Sequence, residues 1–286
     1  MGDGDSPLVG ITGSRGYVGS LLYDRFARQG YRVVGLVRPG VSTPGQRTRP
    51  YEISRPPEPE LLAELDTLIH CAWDLSLTRK RDIWRTNVEG TNQLLTRAKQ
   101  AGVRRVIFVS SMSAYEGTTQ RYGASKLASE QVALENGQSV VRLGLVYGPH
   151  WGGMAGNLKK LTELPITPLV ASRSRQFTVH EEDVAEAMLQ LAQAAQVPGA
   201  PLGIAHPEAL TFRTLLSAIA RAQGAACRFL PLPWPALYGG LRMIELVGLS
   251  APFRSDSLLG LVRPAPVVPN QDLVRELGIR LRPFGL

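Results

Sequence analysis

The sequence predicts an α/β fold built on a doubly wound parallel sheet. Three observations predict it. Short apolar runs alternate with segments of helical spacing along the chain. Those runs do not themselves alternate apolar with polar residues, as expected of strands covered on both faces. The first of them breaks into a glycine-rich turn that opens a helix.

Taken in order, Leu8 to Thr12 is the first strand, and the turn after it is rich in glycine. Residues 17–29 repeat apolar side chains at helical intervals (Val18, Leu21, Leu22, Phe26), and Gly30 follows as a C-cap. Residues 32–37 form a second strand. The stretch from there to Glu60, rich in Pro, Arg, Ser and Thr, predicts loops with one short strand around 51–53. Residues 67–72, 106–110 and 139–146 continue the strand series, with helical segments before them. Past Pro149 the pattern loosens into a helix from about Asn157, a strong one over 183–193, one over 211–223 and a short one near 272–277. Residues 232–250 are the most apolar stretch, but Arg242 and Glu245 interrupt it, which favours a core-packed helix over one lying in a membrane interface. The expected organisation is a sheet domain over 1–150, rejoined by 176–195, and a small lobe made mainly of 151–286.

Composition excludes several classes. Apolar residues make up 44% and charged residues 20%, ordinary values for a globular chain. Two cysteines, Cys71 and Cys227, form no CxxC pair and no cluster with His, so neither a disulfide scaffold nor a metal site is expected. Residues 1–7 carry two acids and no basic stretch, unlike a secretory signal, so a cytoplasmic chain without a membrane partner is expected. The net charge of +8 comes from 32 basic residues, only five of them lysines, scattered apart from Arg79, Lys80 and Arg81. No aromatic-interleaved basic patch accompanies them, which points to a solvated basic surface and no nucleic-acid partner.

Two clusters carry chemistry. Thr12, Gly13, Arg15, Gly16, Tyr17, Val18 and Gly19 lie between the first strand and the first helix. Glycines there permit a tight turn and close backbone approach, and the helix N-terminus offers free N–H groups, which suits the pyrophosphate of a dinucleotide. The second strand ends in Val37 and Arg38 without the acid that would bond a ribose 2′-hydroxyl. Arg38, with Arg15, suits a 2′-phosphate instead, so NADP(H) is favoured and NAD(H) stays possible. Further on, Tyr122 and Lys126 share one helical face, where an ammonium would ease proton loss from the phenol. Ser111, with Ser110 and Ser113 as close rivals, ends the preceding strand where a hydroxyl can hold a substrate oxygen.

At these residues the chain resembles the extended short-chain dehydrogenase/reductase, or NAD-dependent epimerase/dehydratase, family. TGSRGYVG, LDTLIHCAWD, NVEGTNQLL, VRRVIFVSSMSAY, YGASK, VRLGLVYGP and FTVHEEDVAEAM follow one another in that family's order, over nearly the whole chain. The resemblance implies a Rossmann-like fold with a C-terminal substrate lobe, and often a homodimer. It makes Ser111 the residue that orients substrate, Tyr122 the general acid/base, and Lys126 the ligand of the nicotinamide ribose that lowers the Tyr122 pKa. It places Cys71, Ala72 and Trp73 along the cofactor, with Trp73 facing substrate, and assigns Asn87, Leu145 and Val146 to the cofactor side. Ser113, His150, Asn157 and Arg175 are the candidate substrate contacts; His180 is expected to pack structurally.

Departures from the family pattern bear on the reaction. Family dehydratases have an Asp-Glu pair after the catalytic hydroxyl residue, whereas Met112 and Ser113 follow here, so elimination is disfavoured. Ser111 and Tyr122 are only 11 positions apart, which implies a shortened substrate-side loop. Sugar-nucleotide epimerases grip a diphosphate with an Arg where this chain has Gln176, although Arg173 and Arg175 are adjacent and Asn157 matches a diphosphate contact. The expected activity is hydride transfer between NADP(H) and a carbonyl or alcohol carbon of a small polar substrate, a sugar among the candidates. An epimerase with retained NAD is the alternative. A non-catalytic dinucleotide sensor is a third reading, disfavoured by the intact Tyr-Lys pair.

Overall fold

The computed structural model describes residues 6–196, 198–247, 249 and 253–286; most of the amino-terminal stretch read above as unlike a secretory signal lies outside them. In chain order come β1 (Leu8–Thr12), α1 (Tyr17–Arg28), β2 (Arg32–Val37), β3 (Thr48–Pro50), α2 (Pro59–Ala63) and β4 (Thr67–His70). Next, α3 (Lys80–Ile83) runs through a π-helical turn (Trp84–Glu89) into α4 (Gly90–Gln100), then β5 (Arg105–Ser111), α5 (Arg121–Glu135) and β6 (Ser139–Leu143). After β7 (Leu145–Tyr147) follow α6 (Gly153–Thr162), β8 (Thr167–Leu169), β9 (Arg175–Gln176), β10 (Thr178–His180) and α7 (Glu181–Gln193). The chain closes with β11 (Leu202–Ile204), β12 (Leu210–Thr211), α8 (Phe212–Ala222), β13 (Phe229–Pro231), α9 (Trp234–Leu246), α10 (Ser255–Val262) and α11 (Gln271–Glu276).

Seven strands form one parallel sheet in the order β11-β6-β5-β4-β1-β2-β3. The order reverses at β1, and in open α/β sheets it is at such a switch point, by the carboxyl ends of the strands, that ligands bind. The sheet is Rossmann-like, as the sequence predicts. One face packs Leu22 and Phe26 of α1 and Met188 and Leu191 of α7 against Ile11 and Val141. The other packs Leu94, Leu95 and Ala98 of α4 against Phe108 and Val140. A separate cluster joins Leu158, Leu169, Phe212, Leu215, Leu258 and Leu261, residues of the C-terminal part of the chain.

Three elements differ from the sequence reading. The run expected over 139–146 breaks at Gly144, where a Cβ would lie 2.7 Å from both the Ala205 side chain and the Phe177 carbonyl. β6 therefore stays in the main sheet while β7 turns to pair with β10. The short strand forms at Thr48–Pro50 rather than around 51–53: the Tyr51 N–H makes the last ladder bond, to the Val37 carbonyl at 2.7 Å, and β2 ends there, leaving residues 52–53 no strand to pair with. The core-packed helix expected within 232–250 is only half so: α9 buries Leu241 and turns its other side outward. Among the described residues no helix is long and apolar enough to cross a membrane.

Candidate active site

The glycine turn sits at the carboxyl end of β1. Gly13 has φ of 66°, and a Cβ there would lie 2.9 Å from the Ala72 backbone, so the turn presses against the loop after β4. At Gly19 a Cβ would be 2.2 Å from the Gly13 carbonyl oxygen, so only glycine lets α1 start this close to the turn. Gly16 caps α1 without a side-chain hydrogen bond, which leaves the first-turn N–H groups of Tyr17, Val18 and Gly19 for an anion. Ser14 is fully buried, and its hydroxyl has no partner among the described residues. Backbone donors and a glycine cradle fit a pyrophosphate.

Thr12 faces the other way. Its hydroxyl accepts from the Cys71 and Ala72 N–H groups at 3.1 and 3.0 Å and meets His70 Nδ1 at 2.7 Å. It braces the end of β1 against the end of β4 and the loop after it. His70 is fully buried between Thr12 and Thr91, and burial pushes its pKa down to about 3. Burial likewise raises the Cys71 thiol to about 12, which makes it a poor nucleophile. Arg15 and Arg38 are exposed on the loops after β1 and β2, whose neighbouring ends are tied by the Gly13 N–H to the Leu36 carbonyl at 3.3 Å. Neither forms an ion pair among the described residues.

Ser111, Tyr122, Lys126 and Trp73 come together. Trp73 stands edge-on to Tyr122, ring centroids 6.3 Å apart, and Lys126 Nζ lies 3.9 Å from the Trp73 ring centroid. Lys126 Nζ also donates to the Val109 carbonyl at 2.7 Å. Burial pushes Lys126 down to about 7. It raises Tyr122 to about 12, against the opposing hydrogen bond of Ser111. Desolvation is the largest influence on the phenol in this arrangement. The rival Ser110 donates to buried Glu130, so of the two adjacent serines only Ser111 is available. Ser113 donates its N–H to Ser111 Oγ at 3.2 Å.

Other expected contacts sit in the surrounding shell. Asn87 is fully buried in the π-helical turn, and its amide grips the Asp74 N–H and carbonyl at 2.7 and 2.9 Å. It thereby holds the loop that carries Trp73. Leu145 and Val146 line β7, half-buried. His150 lies beside Glu181, whose second oxygen accepts from the Tyr17 hydroxyl at 2.7 Å. That pair ties the glycine turn to the start of α7, and it raises the Tyr17 pKa together with burial. Asn157 and Arg175 are exposed on α6 and β9. Gln176, at the family's diphosphate-gripping position, is buried and donates to the Leu261 carbonyl at 2.9 Å. His180 caps α7 by accepting from the Glu182 N–H at 3.2 Å, a structural task as expected.

Two contributors escaped the sequence reading. Asp256 of α10 accepts the N–H groups of Arg121 and Tyr122, the first two residues of α5. Nothing local in the sequence marks it, since its partners lie more than a hundred positions away. Glu130 is held by Arg142 and Ser110 one turn beyond Lys126 on the same helix, and that spacing was legible.

A family model described as "NAD dependent epimerase/dehydratase family" matches residues 9–202. A ceramide reductase of Caulobacter vibrioides is 27% identical over 238 residues, 80% of this chain and 75% of that protein. The crystal structure of gox2253 superposes with a TM-score of 0.74 at 21% identity, covering 97% of this chain and 94% of that one. The UDP-glucose 4-epimerase of Thermus thermophilus in complex with NAD gives 0.65 at 23%, covering 79% and 86%. At such identities these two structures speak for the fold alone.

Proposed function

Because the chain belongs to the NAD-dependent epimerase/dehydratase family, we propose that it works as a reductase, with NADP(H) as the favoured cofactor. It is an NAD(P)-dependent enzyme. The bound nicotinamide would supply the hydride to a carbonyl carbon. Ser111 would hold the carbonyl oxygen, and Tyr122 would give it a proton, completing the alcohol. Lys126 would leave Trp73 and the Val109 carbonyl to meet the ribose hydroxyls.

The observation that carries this reading is the Gln176 amide, buried at the position of the family's diphosphate grip and donating to the Leu261 carbonyl at 2.9 Å. An amide so engaged argues for a substrate without a nucleotide diphosphate, and so against the nucleotide-sugar epimerase. A relative named as a reductase of ceramide, which carries no such group, points the same way.

Tyr122→Phe keeps the ring and removes the transferable proton. Its turnover in carbonyl reduction should fall about 100- to 10,000-fold while NADPH still binds. Unchanged turnover would assign the proton to another residue.

A further inference from the structure

Tyr122, Lys126 and Glu130 stand four positions apart on α5 and so form one ridge of the helix. β5 receives the last two on consecutive residues: Lys126 Nζ donates to the Val109 carbonyl at 2.7 Å, and the Ser110 hydroxyl donates to Glu130 Oε1. From β6, Arg142 closes on the same carboxylate, with Nε 3.0 Å from both oxygens and Nη2 2.6 Å from Oε2. The Glu130 side chain is 2% exposed and that of Arg142 15%. Such a pair is often no more stabilising than apolar side chains of the same volume, so what it does for its neighbours matters.

The neighbour one turn back is Lys126, buried and without an ion-pair partner among the described residues. Its ammonium meets the Val109 carbonyl and the rings of Trp73 and Phe108, 3.9 and 4.8 Å from their centroids. Burial lowers its pKa to about 7, and Cys71 and Glu130 oppose that. In the cofactor-free chain His70 is pushed down to about 3, and Cys71 and Tyr122 up to about 12, all well away from Lys126. Glu130 is left as the negative charge beside it. Arg142 reaches the carboxylate from β6, on the flank of β5 away from the β4 loop and Trp73, so its charge offsets that of Glu130 only in part.

We propose that Glu130 is a positioning residue of the active site: its charge, fixed in place by Arg142 and Ser110, keeps Lys126 an ammonium. What this does for the cofactor rests on the reading above that Lys126 meets the ribose hydroxyls, which an ammonium bonds more strongly than a neutral amine does.

Trp73 reports the Lys126 proton without any cofactor, because the ammonium lies on its ring. Trp73 emission, taken as the difference between the unmodified chain and Trp73→Phe, should change as pH rises from about 6 to 9, and Lys126→Met should abolish the change. Glu130→Gln should move the midpoint down by about one pH unit. The double substitution Glu130→Gln and Arg142→Gln leaves no buried charge unpaired, and serves where the single variant does not fold. It should move the midpoint the same way by less. NADPH affinity over the same range should fall as pH rises and show the same displacement. A Trp73 midpoint that stays in place in the folded variants would overturn the proposal and reduce the pair to a brace. So would a transition that survives Lys126→Met. A Trp73 midpoint that moves while NADPH affinity ignores pH would uphold the role of Glu130 and overturn the ribose reading instead.

Discussion

The Asp256 carboxylate accepts the backbone N–H of Tyr122 at 3.0 Å, so the helix carrying the acid/base residue begins on an acid from α10. The neighbouring Arg121 N–H reaches the other oxygen at 2.8 Å. Arg254 reinforces the junction by donating to the Leu75 and Leu77 carbonyls in the loop after Trp73.

Asp256→Ala removes two hydrogen bonds at a helix N-terminus and should cost about 1 kcal/mol of stability. A small displacement of Tyr122 should also lower kcat about ten- to a hundredfold, with NADPH affinity little changed. Asp256→Asn, which still offers an acceptor, should recover most of the turnover. Thermal melts and steady-state kinetics of the pair check this. A stability loss with kcat intact would reduce Asp256 to a cap.

Cofactor choice rests on Arg38 and Arg15, exposed at the ends of adjacent strands. NADP(H) should bind about tenfold or more tightly than NAD(H), roughly 1.4 kcal/mol. Arg38→Ala should erase most of that preference. Isothermal titration of the four combinations measures it, and equal affinities in the unmodified chain would contradict the assignment.

His70 sets a pH dependence. Its folded pKa, about 3, lies well below the ordinary value of 6.5. Between those values the unfolded chain takes up a proton that the folded chain refuses, so stability falls as pH drops below about 6.5. Above that pH neither state holds the proton and the contribution is complete. Thermal midpoints of the cofactor-free protein from about pH 7.5 to 4.5 should therefore fall more steeply than those of His70→Gln. Parallel slopes would count against it.

Much of this was legible in the sequence, for physical reasons that can be named. The strand-turn-helix at Gly13 to Gly19 depends on local backbone geometry, which glycines report directly. Tyr122 and Lys126 meet because a helix brings positions four apart onto one face. The break at Gly144 was not legible, because the close approach of Ala205 and Phe177 that demands it comes from distant segments. The Asp256 contact was hidden for the same reason. Burial at Tyr122 was hidden as well: the sequence shows a neighbouring lysine but not the desolvation of the phenol. The apolar run of α9 was visible as composition, while its outward orientation follows only from the packing of Leu241 and Glu245.

The central claim is a reductase that exchanges its NADP(H) at each turnover, as opposed to an epimerase that keeps NAD for an internal oxidation and re-reduction. Acid denaturation of the purified protein, followed by chromatographic identification and quantitation of the released dinucleotide, tests it most directly. The account predicts less than stoichiometric dinucleotide, with NADP in excess over NAD. Stoichiometric, tightly held NAD would contradict it and favour the epimerase.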